Sequence, residues 1–264
     1  MGGVIDFHTH AFPDALADRA MGQLQARAGI RACLDGRVGS LLASMDRAGI
    51  DRSVVCCIAT RPGQFDSILR WCVEIASERI VPFASVHPDD EDAAGKIRAI
   101  RRAGLGGVKL HPYYQDFVAD EARMRPIYEA LCEEGLIVVM HTGYDFGFER
   151  VERCGARRVL KVAEAFAELK LVMSHLGAWE DWEAVEEAVI GREVYLEISY
   201  SLDYLPADRV RRMILNHPAE YVLFGSDSPW GDAGRQIEQV KALGLGETRE
   251  RMLFSDNARR LLGW

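Results

Sequence analysis

The segment VIDFHTH, residues 4–10, joins a short apolar stretch to two histidines, and later parts of the chain repeat this arrangement. Residues 4–7 are rich in β-forming side chains and predict a strand. Alternation along a strand would place Asp6, His8 and His10 on one face, with the apolar residues between them on the other. Neutral imidazole is a standard ligand of Zn²⁺ and related ions, so the two histidines could bind one metal. The same short pattern also suits two solvated histidines near a terminus.

The composition describes a large acidic chain with enough apolar residues for a sizeable core. Of the 264 residues 48% are hydrophobic and 27% are charged, and the net charge is −8 with no run of Lys or Arg. This length fits either one α/β barrel or two ordinary domains. The charge argues against nucleic acid and anionic membranes as partners.

No targeting or membrane segment is predicted. No apolar run approaches the ~20 residues needed to cross a bilayer, and the chain start lacks the basic and apolar regions of a signal peptide. Met1-Gly2 resembles the opening of a myristoylation site, but Asp6 stands where that motif requires Ser or Thr.

The cysteines show no CxxC spacing, and several stand inside apolar runs. A disulfide framework is not expected in a chain of this length, so buried free thiols in a reducing cytoplasm are predicted. The six residues are Cys33, Cys56, Cys57, Cys72, Cys132 and Cys154.

Apolar strands alternate with amphipathic helices along the whole chain. The predicted strands are 4–7, 53–59, 80–86, 107–110, 136–140, 171–174, 194–198 and 221–224. The predicted helices are 14–28, 41–48, 67–77, 91–103, 121–134, 156–169, 182–190, 208–215, 234–243 and 248–262. Strict alternation implies a parallel sheet, and eight units in about 250 residues is the arithmetic of a (β/α)₈ TIM barrel.

We therefore predict a single barrel domain over residues 1–264, with a long first βα connection and a C-terminal helix. A doubly wound open sheet is the alternative. It is disfavoured because no GxGxxG phosphate fingerprint follows the first strand.

Six of the seven histidines stand at the C-terminal ends of predicted strands, where a barrel carries its active site. They are His8, His10, His87, His111, His141 and His175, and Asp227 follows the last predicted strand. The exception, His217, follows a helix and precedes a proline, so it is predicted to be an ordinary loop residue. Chance does not account for six histidines at one point of the repeating unit.

With these motifs the chain resembles the metal-dependent amidohydrolase superfamily, and within it the amidohydrolase-related branch that includes aminocarboxymuconate-semialdehyde decarboxylase. The motifs are VIDFHTH, GVKLHP, VVMHTG, VMSHLG, LFGSDSP and the closing SDNARRLL, which together span essentially the whole chain. The resemblance implies that His8, His10, His141 and Asp227 bind the metal. It implies that His175 holds or polarises the water or the substrate oxygen.

The chemistry of these side chains suits those roles. Three imidazoles and one carboxylate leave an open position for water, as a catalytic site requires. A divalent ion lowers the pKa of such a water to ~7. Asp227 could then accept its proton while His175 orients it. The competing interpretations are a helix N-cap for Asp227 and buried structural histidines at His141 and His175.

Lys109 and His111 fall on one face of the fourth strand. In some relatives a carboxylated lysine on this strand bridges two metals, in which case His141 and His175 would bind the second ion. The resemblance favours one divalent ion, zinc, and leaves Lys109 as a cation for the substrate or as a salt-bridge partner. Asp6 is predicted to orient a ligating histidine.

The substrate-binding residues are predicted from their places at or just beyond the C-terminal ends of strands. Arg61, Lys109, His111 and Trp230 are the candidates, and Arg61 could hold a substrate carboxylate or be a solvated loop residue. Glu197 and Ser199 either line the pocket or form a polar pair in the core. Aromatic residues at the same end suit a flat substrate or a homo-oligomer interface, and the sequence does not separate the two.

The predicted function is metal-dependent hydrolysis, in which metal-activated water attacks a small carbonyl substrate such as a lactone, ester or amide. The alternative is non-oxidative decarboxylation of a small unsaturated or aromatic acid at the same site. A barrel that only binds a metal or ligand is a third possibility, but it would have no need of His175.

Overall fold

A computed structural model describes residues 3–264. Met1 and Gly2, considered above as a lipidation signal, lie outside the described residues. The strands are β1 (Val4–Thr9), β2 (Ile50–Cys56), β3 (Ile80–Phe83), β4 (Gly107–Leu110), β5 (Ile137–Met140), β6 (Lys170–Met173), β7 (Tyr195–Glu197) and β8 (Val222–Leu223).

Helices connect the strands. They are α1 (Asp14–Ala28), α2 (Val38–Ala48), α3 (Phe65–Ile75), α4 (Ala93–Arg102), α5 (Arg125–Glu133), α6 (Ala156–Ala165), α7 (Trp182–Ala188), α8 (Ser201–Tyr204), α9 (Ala207–Asn216), α10 (Ala233–Ala242), α11 (Glu247–Arg251) and α12 (Asn257–Leu262). Single 3₁₀ turns occur at Ala122–Met124 and Ala219–Tyr221. No helix in the described part of the chain is both long and apolar enough to cross a membrane.

The eight strands are parallel neighbours in sequence order and form a TIM barrel, as predicted. Strands β1–β3 form one ladder and β4–β8 another. Ala84, directly after β3, joins the two ladders: its N–H donates to Gly107 O at 3.1 Å and its carbonyl accepts from Lys109 N at 2.8 Å. On the opposite side, Phe7 N donates to Phe224 O at 2.8 Å, which links β1 to the end of β8.

The C-terminal segment differs from the single predicted helix. It consists of α11, a π turn at Met252–Asp256, and α12. Inside the π turn, Leu253 O accepts a hydrogen bond from Phe224 N at 3.0 Å. The wider turn thus lets a helical carbonyl bond to the barrel wall, a tertiary contact that helix propensity does not predict.

Apolar side chains fill one end of the barrel interior. Phe7 and Phe83 are fully buried and pack edge to face, with ring centroids 5.9 Å apart. Gly107 leaves room for this pair, since a Cβ there would lie 2.4 Å from the Phe83 ring. Burying each phenylalanine contributes about 1.5–3 kcal/mol. Ala258 and Leu261 of α12 pack against the same cluster, so the polar residues of the barrel are left at its other end.

Strand β1 departs from the predicted alternation. Its pairing with β2 shifts register between Asp6 and Thr9. Phe7 packs in the barrel interior, and the next residue, His8, reaches the interior as well, where it meets Glu197. The prediction that Phe7 and His8 lie on opposite faces is therefore wrong, because a bulge lets consecutive side chains enter the same side.

The prediction that His217 is an ordinary loop residue is also wrong. Its ring is buried just after α9, where Nε2 donates to Val194 O at 2.9 Å. Gly191 N lies 3.4 Å from Nδ1 on the other side of the ring. Burial lowers the pKa of His217 from 6.5 to about 4. The neutral ring therefore ties the end of α9 to the start of β7.

We expect His217 to make the fold sensitive to mild acid. Above pH 6.5 the ring is neutral in both the folded and the unfolded chain, and between pH 6.5 and 4 only the unfolded chain takes up the proton. The free energy of unfolding should therefore fall as the pH drops through this window, by roughly 3 kcal/mol at 1.36 kcal/mol for each pKa unit.

Denaturant titrations of the wild type and His217→Gln at several pH values measure this contribution. The glutamine amide can still donate to Val194 O but does not titrate, so the variant should lose less stability on acidification. Equal pH slopes for the two proteins would show that the ring is not held neutral.

Candidate active site

His8 in β1, His10 directly after β1 and an aspartate after β8 converge at the C-terminal end of the barrel. Asp227 Oδ1 lies 3.2 Å from His10 Nε2 and 3.6 Å from His8 Nε2. The backbone places them there, because Asp227 N donates to His8 O at 2.8 Å across the β8–β1 seam. The possible ligand atoms of these three residues all lie within 4.8 Å of one another.

Asp227 is not a helix cap. The helix that follows, α10, is capped by Asp232, whose side chain accepts from Arg235 N at 2.9 Å. Asp227 Oδ1 is buried without a hydrogen-bond partner among the described residues. The residue also has φ 56°, a left-handed conformation that costs a non-glycine residue roughly 1–2 kcal/mol. Strain of this kind is typical of functional sites.

The protonation pattern around His10 calls for a cation. Nδ1 lies 2.7 Å from Cys56 O, and a carbonyl can only accept, so Nδ1 carries the proton and Nε2 the lone pair. This Nε2 faces Asp227 Oδ1, so two acceptors meet at 3.2 Å. A proton or a metal ion between them is required. Imidazole nitrogen and carboxylate oxygen are ligands that zinc accepts, so the donor set fits the expected ion.

The ring of His8 is held by Glu197 and Lys109, and all three residues are buried. His8 Nδ1 lies 2.9 Å from Glu197 Oε1, and Lys109 Nζ lies 2.9 Å from His8 Nε2. Burial, reinforced by the Lys109 charge, lowers the pKa of His8 well below its ordinary value. The neutral ring therefore donates from Nδ1 to the carboxylate and presents the Nε2 lone pair. Burial also lowers the pKa of Lys109.

His141 and His175 form a second histidine pair beside the first. His141 Nε2 lies 2.8 Å from Tyr144 O and therefore carries its proton, while Nδ1 lies 3.1 Å from His175 Nε2. Burial lowers the pKa of His141 well below its ordinary value. The ring of His175 stands between those of His8 and His141, with centroids 5.5 and 5.0 Å away. His141 lies outside the His8, His10 and Asp227 group, so its assignment as a metal ligand stays a prediction.

His111 forms the next layer of the site. Its ring stacks on that of His141, with centroids 4.1 Å apart and an interplanar angle of 9°. His111 Nε2 lies 3.4 Å from Asp145 Oδ2. These three residues are close enough to hold an ion, but the Nε2 proton of His141 is donated to Tyr144 O. We therefore interpret the group as a stacked wall of the site.

Asp6 contacts the backbone of His8 and not its ring. Its carboxylate accepts from Ser226 N at 2.9 Å, from Ser226 Oγ at 2.5 Å and from His8 N at 3.3 Å. Burial raises the pKa of Asp6 to about 7. The partner of the His8 imidazole is Glu197 instead. Asp6 therefore fixes the β1–β8 seam that carries His8 and Asp227.

The predicted substrate-binding residues lie at different depths. Lys109 and His111 are buried against the predicted ligands. Trp230 is half-buried in the loop after β8, where its backbone N–H donates to Asp227 O at 2.9 Å. Arg61 is exposed, and its guanidinium makes no ion pair or hydrogen bond among residues 3–264. The structure thus gathers three of the four near the site and leaves Arg61 apart.

Aromatic rings line one side of the barrel mouth. The ring of Trp179 lies 6.0 Å from that of His175 and 4.8 Å from that of Phe146. Phe146 and Tyr204 are 41% and 48% exposed. A cavity of about 200 Å³ is lined by Tyr144, Asp145, Phe146, Phe148, Arg150, Trp179 and Glu180. These walls suit a flat, partly apolar group.

Sequence reasoning underrated Glu197, for which a pocket role and a core role were equally weighted. Its side chain is fully buried and contacts both His8 and the backbone of His175. The signal was present in the sequence, since an acidic residue ends the apolar strand β7 on the side where a barrel carries its chemistry. Only the fold shows which histidines it meets.

Comparison with known proteins agrees with this fold. An uncharacterized TIM-barrel protein of Bordetella bronchiseptica is 20% identical over 98% of both chains, with a TM-score of 0.79. The 5-carboxyvanillate decarboxylase of Sphingomonas paucimobilis is 16% identical over 98% of both chains, with a TM-score of 0.73. A candidate 2-pyrone-4,6-dicarboxylic acid hydrolase of Pseudomonas putida is 20% identical over 99% of this chain and 97% of its own, with a TM-score of 0.68.

At these identities the solved structures establish the fold and not the substrate. The chain has no significant match among the curated proteins with which it was compared. A family model described as amidohydrolase matches residues 5–264, nearly the whole chain. The protein therefore belongs to the amidohydrolase family, as the motifs at its strand ends predicted.

Proposed function

We propose that the protein is a metal-dependent hydrolase that adds water to a small carbonyl compound, such as a lactone, ester or amide. The observation that carries this proposal is the convergence of His8 Nε2 and His10 Nε2 on the unpaired, buried oxygen Oδ1 of Asp227. A buried acceptor facing two imidazole lone pairs is the arrangement that a divalent cation would satisfy.

His8, His10 and Asp227 would hold the ion, with His141 Nδ1 as the proposed fourth ligand. A bound divalent ion would supply Lewis-acid chemistry and lower the pKa of a water molecule to ~7. We propose one zinc ion rather than two metals bridged by a carboxylated Lys109. A 5-carboxyvanillate decarboxylase of similar fold from Novosphingobium aromaticivorans contains manganese, so manganese belongs in the test.

The protein groups would then divide the proton chemistry. Asp227 would bind the ion as a carboxylate and would accept the proton of the attacking water. His175 orients the water or the substrate oxygen. Lys109, His111, Trp230 and, from the rim, Arg61 are proposed to hold the substrate.

Decarboxylation of a small unsaturated or aromatic acid is the second candidate. Lys109 favours it, because a buried amine 2.9 Å from His8 Nε2 could pair with a substrate carboxylate beside the ligand set. Solved structures of similar fold include 5-carboxyvanillate and 2,6-dihydroxybenzoate decarboxylases.

We further propose that residues 1–264 act as one domain in the cytoplasm. Four of the six cysteines are buried free thiols and none is paired in a disulfide, which fits a reducing compartment. The exposed Phe146 and Tyr204 at the barrel mouth are proposed as the contact of a homo-oligomer, if they do not hold the substrate.

A substrate screen tests the proposed reaction. Chelator-treated protein, and protein reloaded with zinc or manganese, are assayed against lactones, esters, amides and small carboxylic acids, with products identified by mass spectrometry. We expect hydrolysis that appears only with metal. Metal-dependent release of CO₂ instead would make decarboxylation the function, and turnover that is unchanged by metal removal would refute both.

A further inference from the structure

We infer that Glu197 is a positioning residue that sets up two parts of the site at once, the ring of His8 and the backbone of His175. The inference rests on the proposed function in one respect, namely that His8 binds the metal ion. Glu197 itself would touch neither the metal nor the substrate.

The carboxylate of Glu197 accepts four hydrogen bonds, from His8, His175 and Ser199. Oε1 accepts from His8 Nδ1, from His175 N and from Ser199 Oγ, each at 2.9 Å. Oε2 accepts from Ser199 N at 2.8 Å. The residue is fully buried, so these charge-assisted bonds are shielded from water and are stronger than neutral ones.

Glu197 also holds a strained backbone segment. His175 and Leu176 have φ values of 60° and 54°, in the left-handed region that non-glycine residues avoid. The N–H of His175 donates to the Glu197 carboxylate, and the N–H of Leu176 donates to the Glu197 carbonyl at 2.6 Å. One residue of β7 therefore satisfies both strained amides and directs the His175 ring to its place beside His8.

The neighbouring strand leaves space for this carboxylate. A Cβ on Gly225 would lie 2.3 Å from Glu197 Oε2 and 3.0 Å from His8 Cβ. Glycine at this position is what allows the acid to reach His8 from β7. An alanine there would displace the carboxylate without removing its charge.

The consequence for His8 is chemical as well as geometric. An acceptor at Nδ1 keeps the proton on that nitrogen and leaves a lone pair on Nε2, which lies 2.9 Å from Lys109 Nζ and 3.6 Å from Asp227 Oδ1. Partners of this kind raise the basicity of a ligating imidazole, and their loss typically costs 10–100-fold in metal affinity.

Zinc affinity and the His8 ring proton test the role of Glu197. In Glu197→Gln we expect the zinc dissociation constant, measured by chelator competition, to rise by roughly 10–100-fold. The His8 Nδ1 proton, identified by its loss in His8→Gln, should resonate at low field in wild-type NMR spectra and move upfield in the variant. Gly225→Ala should also raise the zinc dissociation constant and move the His8 Nδ1 proton upfield. It replaces Glu197→Gln as the test if Glu197→Gln does not fold.

Asp90→Asn is the matched control, since Asp90 is another buried carboxylate that accepts two backbone N–H bonds, from Gly63 and His87. It should leave both quantities near wild type. Wild-type zinc affinity and an unmoved His8 proton in Glu197→Gln or Gly225→Ala would overturn the inference. The NMR measurement is made on chelator-treated protein, so it tests the role of Glu197 whether or not the wild type binds metal. A wild type that binds no metal would refute the proposed function and leave the Glu197–His8 contact still to be judged by NMR.

Discussion

Asp227→Asn should lower kcat/KM on the identified substrate by at least roughly 10²-fold, and by as much as 10⁴-fold, the range of a lost general base. Asparagine keeps an oxygen that can still face His8 and His10, so metal binding should weaken without disappearing. The asparagine amide is a much weaker base than a carboxylate, so it should not accept the proton of the attacking water. Steady-state kinetics with metal content measured on the same samples separates the two effects.

Asp232→Asn is the control for this loss. It removes a negative charge from the same loop, and asparagine also caps helices well, so α10 should be retained. Its activity should stay close to wild type. Near-normal turnover by Asp227→Asn would mean that Asp227 is not the base.

His175→Ala should keep its metal but lose turnover by a similar factor, roughly 10²–10⁴-fold. His175 is proposed to orient the water or the substrate oxygen, and its Nε2 faces His141 at 3.1 Å and not Asp227. Metal equivalents and kcat should therefore respond differently in this variant, whereas removal of a ligand would lower both.

His87→Ala provides the comparison, because His87 also follows a barrel strand, β3, but is bonded to the turn at Asp89 and Asp90. We expect wild-type metal content and activity from it. Stoichiometric loss of metal in His175→Ala would make His175 a ligand and favour the binuclear arrangement. Metal retention with full turnover would make it a structural histidine.

The double variant of Asp227 and His175 should not show the product of the two single losses. Both residues serve the same water molecule in the proposed mechanism, and residues that act as a unit are non-additive. If the double variant loses activity by the product of the two single losses, the two residues act in separate steps.

The barrel could be predicted from the sequence because its strands are short apolar runs between amphipathic helices. The observed bounds of β4, Gly107–Leu110, are those predicted. The π turn at Met252–Asp256 could not, since it depends on a hydrogen bond from Phe224 to a distant carbonyl. The buried state of His217 was missed for a similar reason: its partner, Val194, precedes a different strand.

The sequence could predict which residues lie at the strand ends of the site, but not which of them contact one another. The position of His8, His10 and Asp227 at one end of a barrel follows from topology. The β1 bulge that brings His8 beside Glu197 depends on register with β2, which no local pattern specifies. The tautomers of His10 and His141 likewise depend on backbone carbonyls, Cys56 O and Tyr144 O, contributed by loops and neighbouring strands.

Metal stoichiometry tests whether His8, His10 and Asp227 hold one divalent ion. The full chain is loaded with zinc, freed of excess metal and analysed by inductively coupled plasma mass spectrometry, alongside a variant with both His8→Ala and His10→Ala. We expect roughly one equivalent of zinc in the wild type, bound by one set of imidazole and carboxylate ligands, and almost none in the variant. Equal metal in the two proteins, or none in the wild type, would contradict this expectation.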